Sequence, residues 1–98
     1  MPLNKLQTRA KLAYEIIPNN TNNLLDVGCA SGYSTIFFKN KARNVYGVDI
    51  NKKLIEEGKK KYKNINFKLI KSEKLPFKSD FFDVVTILDV LEHVNKDN

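Results

Sequence analysis

The run LLDVGCASGYSTI, residues 24–36, decides the fold of this 98-residue chain. Leu24, Leu25 and Val27 read as an apolar strand, and Gly28, Cys29, Ala30, Ser31 and Gly32 as a turn of small residues. Tyr33, Ile36 and Phe37 then fall at i, i+3 and i+4, which predicts one face of a helix packed back on the sheet. A strand that runs through such a turn into a helix makes room for a ligand. The first N–H groups of the helix have no partner within it and would face the crevice at the strand's carboxyl end, where open α/β sheets bind ligands.

Outward from this run, the pattern alternates helix and strand. Asn44 to Asp49 (NVYGVD) is a second short strand that ends in a carboxylate. Asn51 is placed to cap a helix reaching about Tyr62, with Ile50 and Ile55 positioned as a hydrophobic staple and Leu54, Gly58 and Tyr62 on the buried side. Glycine costs about 1 kcal/mol relative to alanine inside a helix, so Gly58 marks close approach to a neighbouring strand. Ile65, Phe67 and Leu69 alternate with polar residues, as suits an edge strand, and a loop broken by Pro76 follows from Lys71 to Asp80. Asp83 to Leu88 is the most continuous apolar strand, the kind expected to be central in a parallel sheet. On the other side, Leu3, Leu6, Ala10, Ala13 and Ile17 make the stripe of an amphipathic helix over Pro2 to Ile17, ended by Pro18, and a polar loop, Asn19 to Asn23, leads into the first strand. The order α, β, α, β, α, β, β predicts one α/β domain with a Rossmann-like parallel sheet.

Composition narrows the function. A globular chain of this size hides only about 60–65% of the surface that its unfolded form exposes, so its core is modest. No apolar run approaches the roughly 18 residues of a membrane span, and Lys5, Arg9 and Lys11 are not followed by the apolar stretch of a signal peptide, so a cytoplasmic location is expected and a membrane partner is not. One cysteine and one histidine exclude an internal disulfide and a zinc-type ligand cluster. The net charge of +6 comes from fifteen lysines and two arginines. Lysine is the weaker choice for bidentate recognition of phosphates and bases, so a nucleic-acid partner is not favoured and the lysines read as a solvated surface.

A carboxylate at the tip of the strand after a glycine turn can accept hydrogen bonds from both hydroxyls of a ribose, and Asp49 has that place. The turn itself does not match a dinucleotide fingerprint, because Ala30 stands between Gly28 and Gly32, and no Gly-Lys-Ser/Thr of a P-loop follows. What remains is an adenosine ligand without a polyphosphate.

The run D-V-G-C-A-S-G resembles motif I of the class I S-adenosylmethionine-dependent methyltransferases. VYGVDI is similar to their ribose-binding strand end, SEKLPFKSDFFDVV to the stretch around their fourth strand, and DVLEHV, Asp89 to Val94, to the segment after it. The likeness spans Leu24 to Val94 and is nearest to the branch often labelled methyltransferase type 11. It implies S-adenosyl-L-methionine as cofactor, with residues 23–94 carrying its motifs and residues 1–18 an N-terminal helix. It also implies that Asp26 and the backbone of Gly28, Cys29, Ala30 and Gly32 hold the methionine part. Asp49 would take the ribose, Ile50 would pack on the adenine, Ser72 and Glu73 would lie at the adenine edge, and Asp89 with Val90 would close the site near the sulfonium. Two positions depart from the family pattern: Ala30 replaces the middle glycine, and Lys71 stands where an acid often receives the adenine amino group.

The resemblance further implies methyl transfer to a small-molecule or glycan-type acceptor, with His93 the candidate base should the acceptor be a hydroxyl. Asp89-Val90-Leu91-Glu92 stands where enzymes acting on base amino groups carry Asn/Asp-Pro-Pro-Tyr. Family members have a seven-stranded sheet in the order 3-2-1-4-5-7-6. The expectation is therefore a sheet truncated to about four strands, order 3-2-1-4, forming the cofactor-binding half of a longer protein. The last strand would then be an open edge prone to self-association or pairing with another chain. The alternative is a non-catalytic fragment that binds the cofactor weakly.

Overall fold

The computed structural model describes residues 5–71 and 80–87. Helix α1 (Lys5–Ile16) precedes strand β1 (Thr21–Val27), a 3₁₀ helix (Thr35–Asn40), strand β2 (Ala42–Asp49), helix α2 (Lys52–Lys61), strand β3 (Asn66–Leu69) and strand β4 (Val84–Thr86). The strands form a parallel sheet in the order β3-β2-β1-β4, the expected 3-2-1-4. The register sets Leu24 against both Val45 and Val84, and Asp26 against both Gly47 and Thr86.

Parallel crossovers are right-handed almost without exception, so in the run β1→β2→β3 both connections lie on one face of the sheet. Packing agrees. On the first face Leu24, Val45, Ile17, Phe38, Ala42 and Ile65 form a buried cluster, with Ala13 and Tyr14 of α1 and Tyr62 and Phe67 against it. On the second, Leu25, Val48 and Ile70 are joined by Val27, Tyr46 and Phe82, and the rings of Tyr46, Phe81 and Phe82 meet edge to face.

The local expectations fare unevenly. Asn51 caps α2, its side chain accepting the Leu54 N–H at 3.1 Å. The buried positions of α2 are Ile55 and Gly58, whereas Leu54 and Tyr62 are only half-buried. Ile50, 70% exposed, does not share the burial of Ile55. The segment after the glycine turn is a 3₁₀ helix, and its period of three buries Thr35 and Phe38 while leaving Tyr33 and Phe37 exposed. The face predicted at α-helical spacing is therefore rotated. Both long strands begin earlier than their apolar stretches, at Thr21 and Ala42. Thr21 is tied there by its N–H to the Lys41 carbonyl (3.2 Å) and its hydroxyl to that of Pro18 (2.8 Å). In β3 the alternation holds to Phe67 and then shifts: Leu69 is exposed and Ile70 is buried.

The segment expected to be central, Asp83–Leu88, contributes a three-residue ladder at the end of the described sheet, where Val85 is 52% exposed. Its placement comes from Asp83, whose carboxylate accepts the N–H groups of Asn22 (2.8 Å) and Asn23 (3.0 Å) and pins the start of β4 to β1. No helix among the described residues is long and apolar enough to cross a membrane.

Candidate cofactor-binding site

Strand order reverses between β1 and β4, and the crevice outside the carboxyl ends at such a reversal is where open α/β sheets take their ligands. The turn that leaves β1 lies there. Three of its residues have left-handed backbone, Gly28 (φ 77°), Ala30 (φ 52°) and Gly32 (φ 91°). Glycine adopts this region freely, whereas alanine pays about 1–2 kcal/mol for its Cβ. Ala30 is thus under strain that no other described non-glycine residue shares.

Several bonds hold the turn. The N–H groups of Gly28 and Cys29 both donate to the Val48 carbonyl, at 2.8 and 3.0 Å, so the turn folds over the tip of β2. The Gly32 N–H donates to the Cys29 carbonyl at 2.9 Å. Ala30 is fixed by its N–H donating to Asp49 Oδ2 at 2.9 Å. Asp49 Oδ1 accepts the Asn51 N–H, also at 2.9 Å. Asp49 therefore joins the turn to the start of α2 by one oxygen each.

The other strand-end carboxylate has different company. Asp26 is 4% exposed; Thr35 donates to its Oδ2 at 2.6 Å and Thr86 to its Oδ1 at 2.8 Å. It links β1, the 3₁₀ helix and β4 from behind the turn. Cys29 is buried, with its Sγ 3.4 Å from the Ala30 carbonyl. A Cβ on Gly47 would come within 2.8 Å of that sulfur, so the bare backbone of β2 is what gives the Cys29 side chain its place.

The structure thus brings Asp26, Gly28, Cys29, Ala30, Gly32, Asp49 and Ile50 to one end of the sheet. Ser72, Glu73, Asp89, Val90 and His93 lie outside the described residues. Three contributors were not singled out by the sequence: Thr35, Thr86 and Gly47. A small residue two before the strand-tip acid is the one signal that could have marked Gly47. A depression lined by Lys39, Lys41, Arg43 and neighbouring asparagines lies at the opposite pole, where the strands begin. There the Lys39 and Lys41 ammonium groups donate to the carbonyls of Arg43 and Ile17, so it is not the crevice of this fold.

The acceptor positions suit an adenosine. A carboxylate has about four acceptor positions, so each Asp49 oxygen keeps room for a further bond after its backbone N–H, and two vicinal hydroxyls need one each. The exposed Ile50 next to it offers apolar surface to a base. Comparison with known proteins gives this geometry its context. A family model described as a methyltransferase domain matches residues 25–98. The chain belongs to that methyltransferase family. The cofactor of the family is S-adenosyl-L-methionine.

Among the relatives, the ubiquinone/menaquinone biosynthesis C-methyltransferase UbiE of Rickettsia massiliae is 35% identical over 83 residues, a match covering 72% of this chain and 34% of the Rickettsia protein. The crystal structure of YcgJ from Bacillus subtilis is similar with a TM-score of 0.69 and 26% identity, over 84% of this chain and 36% of that one. TrmK of M. capricolum, solved in complex with the natural cofactor product S-adenosyl-homocysteine, is similar with a TM-score of 0.64 and 25% identity, over 92% of this chain and 46% of that one. The chain spans about a third of the length of the curated relatives it matches.

Proposed function

We propose that this chain is the cofactor-holding portion of a cytoplasmic S-adenosylmethionine-dependent methyltransferase that acts on a small-molecule or glycan-type acceptor. The observation that carries the reading is the Asp49 carboxylate, held by two backbone N–H groups beside a left-handed turn and retaining acceptor positions for a ribose. When bound, the cofactor supplies a methyl group on positively charged sulfur, which a nucleophile displaces in line. The chain's part is to bind and orient: Asp49 and Ile50 fix the adenosine, and the turn fixes where the sulfur end lies. His93 is the proposed base for a hydroxyl acceptor, with Ser72, Glu73, Asp89 and Val90 as the remaining lining. The small-molecule reading is supported by the scarcity of arginine, by DVLE in place of Asn/Asp-Pro-Pro-Tyr, and by the C-methylation in quinone biosynthesis that the Rickettsia relative is named for.

Calorimetry with S-adenosylhomocysteine tests the site: binding is expected, and Asp49→Ala should abolish it. No heat from the unsubstituted chain would overturn the assignment. Transfer of labelled methyl to pooled small molecules, with RNA as the competing acceptor, tests the substrate class. A second reading, a non-catalytic chain that associates through β4, is favoured by the exposure of Val85 and Ile87 on that edge. It predicts concentration-dependent self-association together with no methyl transfer.

A further inference from the structure

The glycine turn is gripped by Asp49 on one side, and its other side rests on a residue two strands away. Phe67 belongs to β3 and pairs in the ladder with Gly47 of β2, which in turn pairs with Asp26 of β1. Gly47 has no side chain to stand between them, and a Cβ there would meet the Phe67 ring at 3.5 Å. The ring therefore lies across β2 and ends beneath the turn. A Cβ built on Gly32 would stand 2.6 Å from Phe67 Cζ, and one on Gly58 would stand 2.7 Å from the same atom. The Gly58 position would also be 2.8 Å from the Ser31 carbonyl oxygen, so α2 touches the turn directly. Tyr62 closes the slot, 3.2 Å from the Gly32 position.

We infer that Phe67 is a positioning residue for cofactor binding: its ring, seated between Gly32 and Gly58, sets the height of the turn and so the affinity for S-adenosylmethionine. The inference rests on the assignment of the turn to that cofactor. Three glycines from three elements surround one ring, and each is small where a methyl group would strike the ring or the turn's own backbone or Cys29. Packed interiors pass such displacements on, because side chains and backbone there have no free volume to absorb them. A turn displaced by a fraction of an ångström meets the ligand with misaligned donors.

The test compares two substitutions that act on stability differently. Phe67→Leu removes ring atoms and lowers the melting temperature. Gly58→Ala raises helix propensity while forcing the Ser31 carbonyl and the ring apart. Both are expected to weaken S-adenosylhomocysteine binding, measured by calorimetry well below the melting temperature, on the order of tenfold, which corresponds to about 1.4 kcal/mol of lost binding energy. Gly58→Ala, which keeps the ring, should also shift the amide resonances of Ser31 and Gly32 in the unliganded protein. Unchanged affinity in both folded variants, with unshifted amides, would overturn the inference and leave Phe67 a core residue only. Should Phe67→Leu not fold, Gly58→Ala decides by the same two readouts. Absence of binding by the unsubstituted chain removes the cofactor assignment instead, and the amide shifts then report separately whether the ring sets the turn.

Discussion

Asp26 and Asp49 stand at the carboxyl ends of adjacent strands and, by the alternation of the pleat, on the same face of the sheet. Asp26 is sealed behind the turn and its two oxygens take hydroxyl groups from Thr35 and Thr86, which tie three elements together. Asp49 is half-buried and its two oxygens take backbone N–H groups from the turn and from the start of α2. The difference is one of partner and access. Side-chain hydroxyls in a sealed site make a latch for the fold, while backbone N–H groups at an open edge make a carboxylate that is oriented and still able to accept.

The largest expected effect breaks the sealed half. Asp26→Ala takes the acceptor from the buried Thr35 hydroxyl and leaves Thr86 only the Leu25 carbonyl at 3.4 Å, and it is expected to cost about 3 kcal/mol of stability, in the range for loss of a buried hydrogen-bond network. Urea unfolding checks it through the midpoint. Asp26→Asn keeps the shape and one carbonyl acceptor and should lose roughly half as much. A cost under about 1 kcal/mol for the alanine variant would mean that the threonine bonds do not hold the fold.

The open half should respond in the opposite proportion. Asp49→Ala removes two bonds at a partly hydrated site and is expected to cost about 1–2 kcal/mol, because water can reach the freed N–H groups. Its effect on S-adenosylhomocysteine affinity should be far larger, on the order of 100-fold or more, since ribose hydroxyls lose their charged acceptor. Equal losses of stability and affinity at both positions would erase the distinction between latch and ligand.

How much of this was legible in the sequence depends on the distance over which each feature is decided. Asn51 as cap, Gly58 as a close approach, the strand order and the place of Asp49 are written in short-range spacing or in motif order, and the structure has them. The 3₁₀ helix was not legible, because Thr35 and Phe38 are three apart and fit both helical periods; what decides is that the Thr35 hydroxyl reaches Asp26. Thr86 pairs with Asp26 across 60 residues, and Phe67 meets Gly32 only because Gly47 leaves the way clear. Such contacts are made by the tertiary fold, and no periodicity announces them. The exposure of Leu69 has the same origin: an edge strand has a neighbour on one side only, so its last residues need not keep the alternation.

The smallest predicted effect concerns the turn residue that Asp49 holds, and it has the opposite sign. Ala30 holds φ 52° because its N–H is bonded to Asp49, so the carboxylate supports a conformation that alanine resists. Ala30→Gly removes the Cβ penalty of about 1–2 kcal/mol. It adds roughly 0.5–1 kcal/mol of entropy cost from the looser unfolded chain. The balance is a gain of roughly 0 to 1.5 kcal/mol, which at its middle value raises the melting temperature of a domain of this size by a few degrees. The gain should shrink in an Asp49→Ala background, where the turn is free to leave the left-handed region and the strain is already relieved. A double-mutant cycle on melting temperature measures that coupling. If Ala30→Gly lowers the melting temperature, or acts equally with and without Asp49, then the strain is not held by the carboxylate, and Asp49 has only its ligand to orient.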